Sequence, residues 1–238
     1  MIPIAKPLLG NEEKKVVNEV IDSGMIAYGP KTKKFEQEFA DYVGVKHAIA
    51  TPSGTTALHL GLVSLGVGPG DEVILPSFSF IASANVVLFC GAKPVFCDVD
   101  NDTFNIDSEK VKGLITDKTK AVMPVHLYGQ SADMNPLLEI AEDHDLSVIG
   151  DACQSHGAMY DDKMVGAFGD LECFSFYPTK NMTTGEGGIV TTDSNELFEK
   201  LNSLRNHGRV QTQWWYEHNS VGYNYRMTDF DAGVGIDK

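Results

Sequence analysis

Apolar positions fall at helical spacing in some stretches of this chain and in short continuous runs in others, and the switches between them mark out its elements. Over 12–23, Val16, Val17, Val20 and Ile21 fall at helical spacing, and Gly24 follows as a stop. The stretch 33–42 repeats the pattern with Phe35, Phe39 and Tyr42. Short, nearly continuous apolar runs then predict strands at 48–50, 72–75, 94–97, 121–125 and 147–150. Helical patterns at 56–65, 81–89, 107–115 and 136–144 separate most of them, and 188–192 and 195–206 add a strand and a helix. Strand–helix alternation with apolar strands predicts an α/β fold, a mostly parallel sheet covered by helices on both faces. No repeat or low-complexity tract interrupts it, and 208–220, with Trp214, Trp215 and Tyr216, is the expected irregular loop.

Composition narrows the classes. The chain has 238 residues, 42% of them hydrophobic, enough for one large domain with a substantial core. A net charge of −14 argues against nucleic acid or an anionic membrane as the main partner, while leaving room for an anionic small ligand. No apolar run is long enough for a membrane span, and the charged 11–15 stretch follows too soon for a secretory signal. Cys90, Cys97, Cys153 and Cys173 are scattered, which points to reduced thiols in a cytoplasmic protein and away from a metal site.

Candidate chemistry gathers where strands end, because open parallel sheets bind ligands outside their carboxyl edges. Lys180 closes the run Phe174-Ser175-Phe176-Tyr177-Pro178-Thr179-Lys180 and precedes Gly185-Glu186-Gly187-Gly188. Such a lysine can form a Schiff base with an aldehyde cofactor, or it can be an ordinary surface lysine. Asp151 directly follows an apolar strand and could face a pyridine nitrogen or cap a helix. The turn Ser53-Gly54-Thr55-Thr56 suits a phosphate at a helix N-terminus, though capping explains it as well. Phe80 could lie flat on a planar cofactor or belong to the core. Ser175 could donate to a phosphate or be buried in its strand.

The order of these signals, phosphate turn, aromatic platform, strand-end Asp with Gln154, then Ser and Lys, is that of fold type I pyridoxal-phosphate (PLP) enzymes. The blocks Ser53–Leu58, Gly70–Ile74, Pro76–Phe80, Asp98–Asp100, Pro124–Gly129, Asp151–Gly157 and Gly222–Met227 accompany the Lys180 segment. With them the chain resembles the DegT/DnrJ/EryC1/StrS family of PLP-dependent sugar aminotransferases from about Pro3 to Gly235.

The resemblance implies roles. Lys180 would carry the Schiff base and act as general acid/base. Asp151 would pair with the pyridinium nitrogen, Gln154 would approach the 3-oxygen and Phe80 would stack on the ring. Gly54, Thr55 and Ser175 would hold the phosphate. Asn224 would reach the cofactor of the partner subunit in a homodimer. Arg226 is a candidate substrate contact, with a surface salt bridge as the alternative, and Arg205 and His207 are weaker candidates. Lysine at position 180, where some relatives have histidine, disfavours dehydration. The implied reaction moves an amino group, from L-glutamate as donor, to a nucleotide-linked keto sugar, a 4-keto-6-deoxy sugar being favoured. A PLP-binding regulator and an inactive fragment are the alternatives.

The resemblance also divides the chain into an N-terminal helix and arm (1–30), a PLP-binding three-layer large domain (31–208) and a connection (209–238). That connection is expected to lead to a small C-terminal domain that is truncated. Asp231 and Gly233 stand where the family more often has Gln and Ala, and both are poorer helix formers.

Overall fold

The computed structural model describes residues 2–210 and 217–236. Trp214, Trp215 and Tyr216 of the expected loop lie outside the described residues. The central sheet contains β1 (His47–Thr51), β2 (Glu72–Pro76), β3 (Lys93–Cys97), β4 (Thr119–Val122) and β5 (Ser147–Asp151). It is completed by β8 (Leu171–Ser175) and β9 (Gly188–Thr192), while β6 (Met159–Tyr160) and β7 (Lys163–Met164) form a separate hairpin. The order is β1-β9-β8-β5-β4-β2-β3. Strand β9 pairs antiparallel with both neighbours and the remaining pairs are parallel, so the sheet is mostly parallel as expected.

Alternating strand residues feed two cores. Ala48, Ala50, Ile74, Val122, Val148, Phe174 and Ile189 face one side. There they meet α2 (Pro30–Val43), α5 (Ser108–Val111), α6 (Met134–Asp143) and α8 (Asp229–Gly235). Ile49, Val73, Leu75, Ala121, Ile149, Cys173 and Val190 face the other, against α3 (Gly54–Ser64), α4 (Ala82–Phe89) and α7 (Asn195–Arg205). The period of two therefore produces three layers. Phe39 meets Phe174 and Phe176 edge-on at 5.1 and 5.6 Å. Each such buried side chain contributes about 1.5–3 kcal/mol.

Several expectations change in detail. Tyr42, and Ile21 of α1 (Asn11–Ser23), were expected on the buried faces but are 54% and 57% exposed, because they flank the apolar stripe. The helix expected over 107–115 is one α-turn, then a 3-10 turn Lys112–Leu114 with Gly113 inside it. Strand β4 ends at Val122, and Pro124 has no N–H to extend the ladder.

Helix α8 forms despite Asp231 and Gly233. Thr228 caps it by accepting from Asp231 N at 3.2 Å. A Cβ on Gly233 would lie 2.6 Å from Val16 Cγ1, so the missing side chain lets α8 approach α1 closely. Asp229 then reaches back to the start of α2, where its carboxylate accepts from Gly29 N (2.8 Å), Lys31 N (3.1 Å), Thr32 N (2.9 Å) and Thr32 Oγ1 (2.6 Å). A residue about two hundred positions away thus caps α2.

Candidate active site

The carboxyl ends of β1, β2, β5 and β8 open on one side of the sheet, and a cavity of about 370 Å³ lies there. Gly54, Thr55, Phe80, Asp151, Gln154, Ser175 and Lys180 all line it. They come from segments up to 126 residues apart, gathered because each ends or follows a strand whose carboxyl end opens on this side of the sheet. The volume falls within the usual range for small-molecule sites.

The turn after β1 combines two readings that looked like alternatives. Ser53 caps α3, its Oγ accepting from Thr56 N at 3.2 Å, and Thr56 Oγ1 accepts from Ser53 N at 3.0 Å. Ser53 and Thr56 are thus partnered within the cap, while Gly54 and Thr55 border the cavity at the positive end of the helix dipole. A Cβ on Gly54 would stand 2.7 Å from Ser175 Cβ and 2.9 Å from Cys153 Sγ. Glycine therefore lets the helix start approach the end of β8.

Asp151, only 5% exposed, ends β5. Its Oδ2 accepts from Ser83 Oγ at 2.7 Å and its Oδ1 from Cys153 N at 3.2 Å. Gln154 Oε1 accepts from Tyr128 N at 3.1 Å, which fixes the amide and leaves its Nε2 to donate elsewhere. Phe80 is 66% exposed, so the core alternative does not hold for it. Ser175 is buried at the end of β8 and also faces the cavity.

Lys180 sits half-buried in a loop held by Lys180 N donating to Tyr177 O (2.9 Å) and Thr184 N donating to Phe176 O (3.1 Å). It also lines a second cavity of about 480 Å³ formed with residues 5–9. Behind this loop His156 packs on Phe174 and Phe176, and burial, followed by the Lys180 charge, lowers its pKa to about 4. Burial and then the Asp151 carboxylate push the Cys153 and Cys173 thiols well above their ordinary range.

Asn224, Arg226 and His207 do not join the cavity lining. Asn224 is exposed and bridges Asn206, Arg226 Nη1 donates to Asn206 Oδ1 at 2.7 Å, and His207 N donates to Tyr223 O at 2.8 Å. Arg205 is buried, paired with Glu36, donating to Ala50 O at 2.9 Å and lying 4.6 Å over the Tyr28 ring. That arrangement is structural. Sequence reasoning missed Ser83, whose link to Asp151 spans sixty-eight residues and leaves no local signal. Tyr177, Thr179 and Glu186 also line the cavity without having been singled out.

A lysine, a strand-end carboxylate, an aromatic ring, a helix start and the Thr55 and Ser175 hydroxyls share one cavity, the combination found in the site class of fold type I PLP enzymes. The DegT/DnrJ/EryC1/StrS aminotransferase family profile matches residues 7–238, and the chain belongs to that family. It is 51% identical over 237 residues to GDP-perosamine synthase of Caulobacter vibrioides, covering 99% of this chain and 63% of that protein. The structure of S. venezuelae DesV in complex with a ketimine intermediate superposes with a TM-score of 0.90 at 42% identity. That match covers 94% of this chain and 60% of DesV. The PMP-form of the putative sugar aminotransferase Spr1654 from Streptococcus pneumoniae gives a TM-score of 0.94 at 33% identity, over 99% of this chain and 64% of that one. The chain thus spans less than two thirds of the length of these relatives, and across that span its fold is that of fold type I PLP aminotransferases.

Among the described residues no helix is long and apolar enough to cross a membrane.

Proposed function

We propose that this chain carries the cofactor site of a PLP-dependent aminotransferase that moves an amino group from an amino acid, L-glutamate in our reading, to a nucleotide-linked keto sugar. The observation that carries the reading is the convergence of Lys180, Asp151 and the α3 start on one cavity. Its donor set fits PLP by chemistry. Backbone N–H groups at Gly54 and Thr55, with the Thr55 and Ser175 hydroxyls, suit a phosphate, and a buried carboxylate suits a ring nitrogen. Bound there, PLP supplies an electron sink beside the amine being moved.

The residues do the rest. Thr55 and Ser175 would hold the phosphate end, Phe80 would cover the ring face and Gln154 would donate toward the 3-oxygen. The Asp151 carboxylate would pair with the ring nitrogen. Lys180 Nζ would hold the cofactor covalently and, as a free amine, would move the proton that amino transfer requires. Asn224, exposed and outside its own cavity, completes the neighbouring site in a cytoplasmic homodimer. The 51% identity to a GDP-perosamine synthase favours a 4-keto-6-deoxy sugar as acceptor.

The test is to mix purified chain, PLP and glutamate, and to screen nucleotide-linked keto sugars by mass. Gain of an amine by one sugar, absent in Lys180→Ala, is the expected result. Covalent PLP attachment that persists in Lys180→Ala overturns the lysine assignment.

A further inference from the structure

Resting on the reading of Asp151 as the partner of the ring nitrogen, we propose that Ser83 is a positioning residue for that carboxylate, with Ser79 as its support. Ser83 is fully buried in the first turn of α4, on an element that supplies no charge to the cavity. Its Oγ lies 2.7 Å from Asp151 Oδ2. A buried carboxylate accepts and cannot donate, so the single Ser83 hydroxyl proton belongs to this contact. The weaker 3.2 Å approach of the same oxygen to Phe80 O loses that competition. Ser79 Oγ, 2.8 Å from Ser83 Oγ, must then be the donor of its pair. The result is a directed chain, Ser79 to Ser83 to Asp151, in which each hydroxyl strengthens the next.

The chain does two things to Asp151. It fixes the carboxylate rotamer, with Cys153 N holding Oδ1 and Ser83 holding Oδ2. It also places one charge-assisted donor on Oδ2, leaving the remaining lone pairs of the carboxylate to the cavity that faces the cofactor. The other titratable groups around Asp151 are Cys153 on its own loop, Cys173 on β8, and Tyr177, Lys180 and Glu186 across the cavity. The buried His126–Glu172 pair lies behind, joined to Asp151 through His126 N donating to Asp151 O at 3.0 Å. None of these replaces the Ser83 hydroxyl.

The primary experiment uses the chain without cofactor. The carbon-13 NMR shift of the Asp151 carboxyl at one fixed pH, assigned through Asp151→Asn, is compared in wild type, Ser83→Ala, Ser83→Thr and Ser79→Ala. The signal moves in Ser83→Ala, less in Ser79→Ala, and returns in Ser83→Thr, as loss and restoration of one charged hydrogen bond require. An unmoved signal in Ser83→Ala overturns the proposal. Should Ser83→Ala not fold, an unmoved signal in Ser79→Ala, which alters only a half-buried hydroxyl, does the same. A binding arm then compares PLP with an analogue carrying CH in place of the ring nitrogen. Ser83→Ala weakens PLP about tenfold and leaves the analogue unaffected. If wild type binds both equally, the ring-nitrogen reading of Asp151 fails while the carboxyl signal still reports on the Ser83 contact by itself.

Discussion

Asp151 and Asp229 are both buried, both sit next to a helix start or strand end, and do opposite work. Asp229 is 1% exposed and accepts four hydrogen bonds, from three backbone N–H groups of the α2 start and the Thr32 hydroxyl. Its oxygens are saturated by protein donors, and no cavity reaches it among those described for the site. Asp151 is 5% exposed and receives one donor per oxygen, with its remaining capacity turned to the cavity. The two cations divide in the same way. Arg205 is spent on Glu36, Ala50 O and the Tyr28 ring, whereas Lys180 borders two cavities. Burial alone therefore does not mark a functional charge; unfilled hydrogen-bonding capacity facing a cavity does.

The largest test of this contrast removes Lys180. Lys180→Ala lowers amine transfer by about 10²–10⁴-fold and abolishes the visible absorbance of lysine-bound PLP, with thermal unfolding little changed. Asp229→Ala does the reverse. It strands the N–H groups of the α2 start and costs about 3–5 kcal/mol in denaturant unfolding, while the folded fraction binds PLP normally. Asp151→Asn cuts transfer by about 10²–10³-fold with less than about 1 kcal/mol lost from stability. Normal PLP affinity in Asp151→Asn together with impaired affinity in Asp229→Ala would invert the assignment of the two carboxylates.

His156 gives the smallest effect, one of pH. Its folded pKa of about 4 lies below the ordinary histidine value of 6.5. Between the two, the unfolded chain binds a proton that the folded chain does not, so stability falls as pH drops from about 6.5 toward 4. The loss reaches about 3 kcal/mol once pH falls below the folded value. Unfolding at pH 7 and 4.5 measures it, and His156→Leu flattens that difference; an equal slope in both proteins removes His156 as the cause.

Much of this was legible before any tertiary contact was known. The apolar runs located β1 to β5 and β9, and the carboxyl-edge rule drew attention to Asp151, the Ser53–Thr55 turn and Phe80. What stayed hidden were contacts with no sequence neighbourhood: Ser83 with Asp151, Asp229 with the α2 start, and Arg205 with Glu36. Arg205 and His207 were equal candidates for substrate contact in the sequence, because charge says nothing about its partner. Gly233 looked like a weak helix former, and its reason, contact with Val16, lies on another helix.

By itself the sequence determined the alternation of helical patterns with short continuous apolar runs, and that alternation determined the layers: strands apolar on both faces make a covered parallel sheet, and the residues at the ends of its strands share an edge. Only the tertiary structure decided which charged and hydroxyl groups at that edge were already satisfied. Hydrogen-bond saturation depends on donors arriving from distant segments at about 3 Å, a quantity that no local spacing encodes. That is why Asp151 and Lys180 stand apart from Asp229 and Arg205 only once the chain is folded.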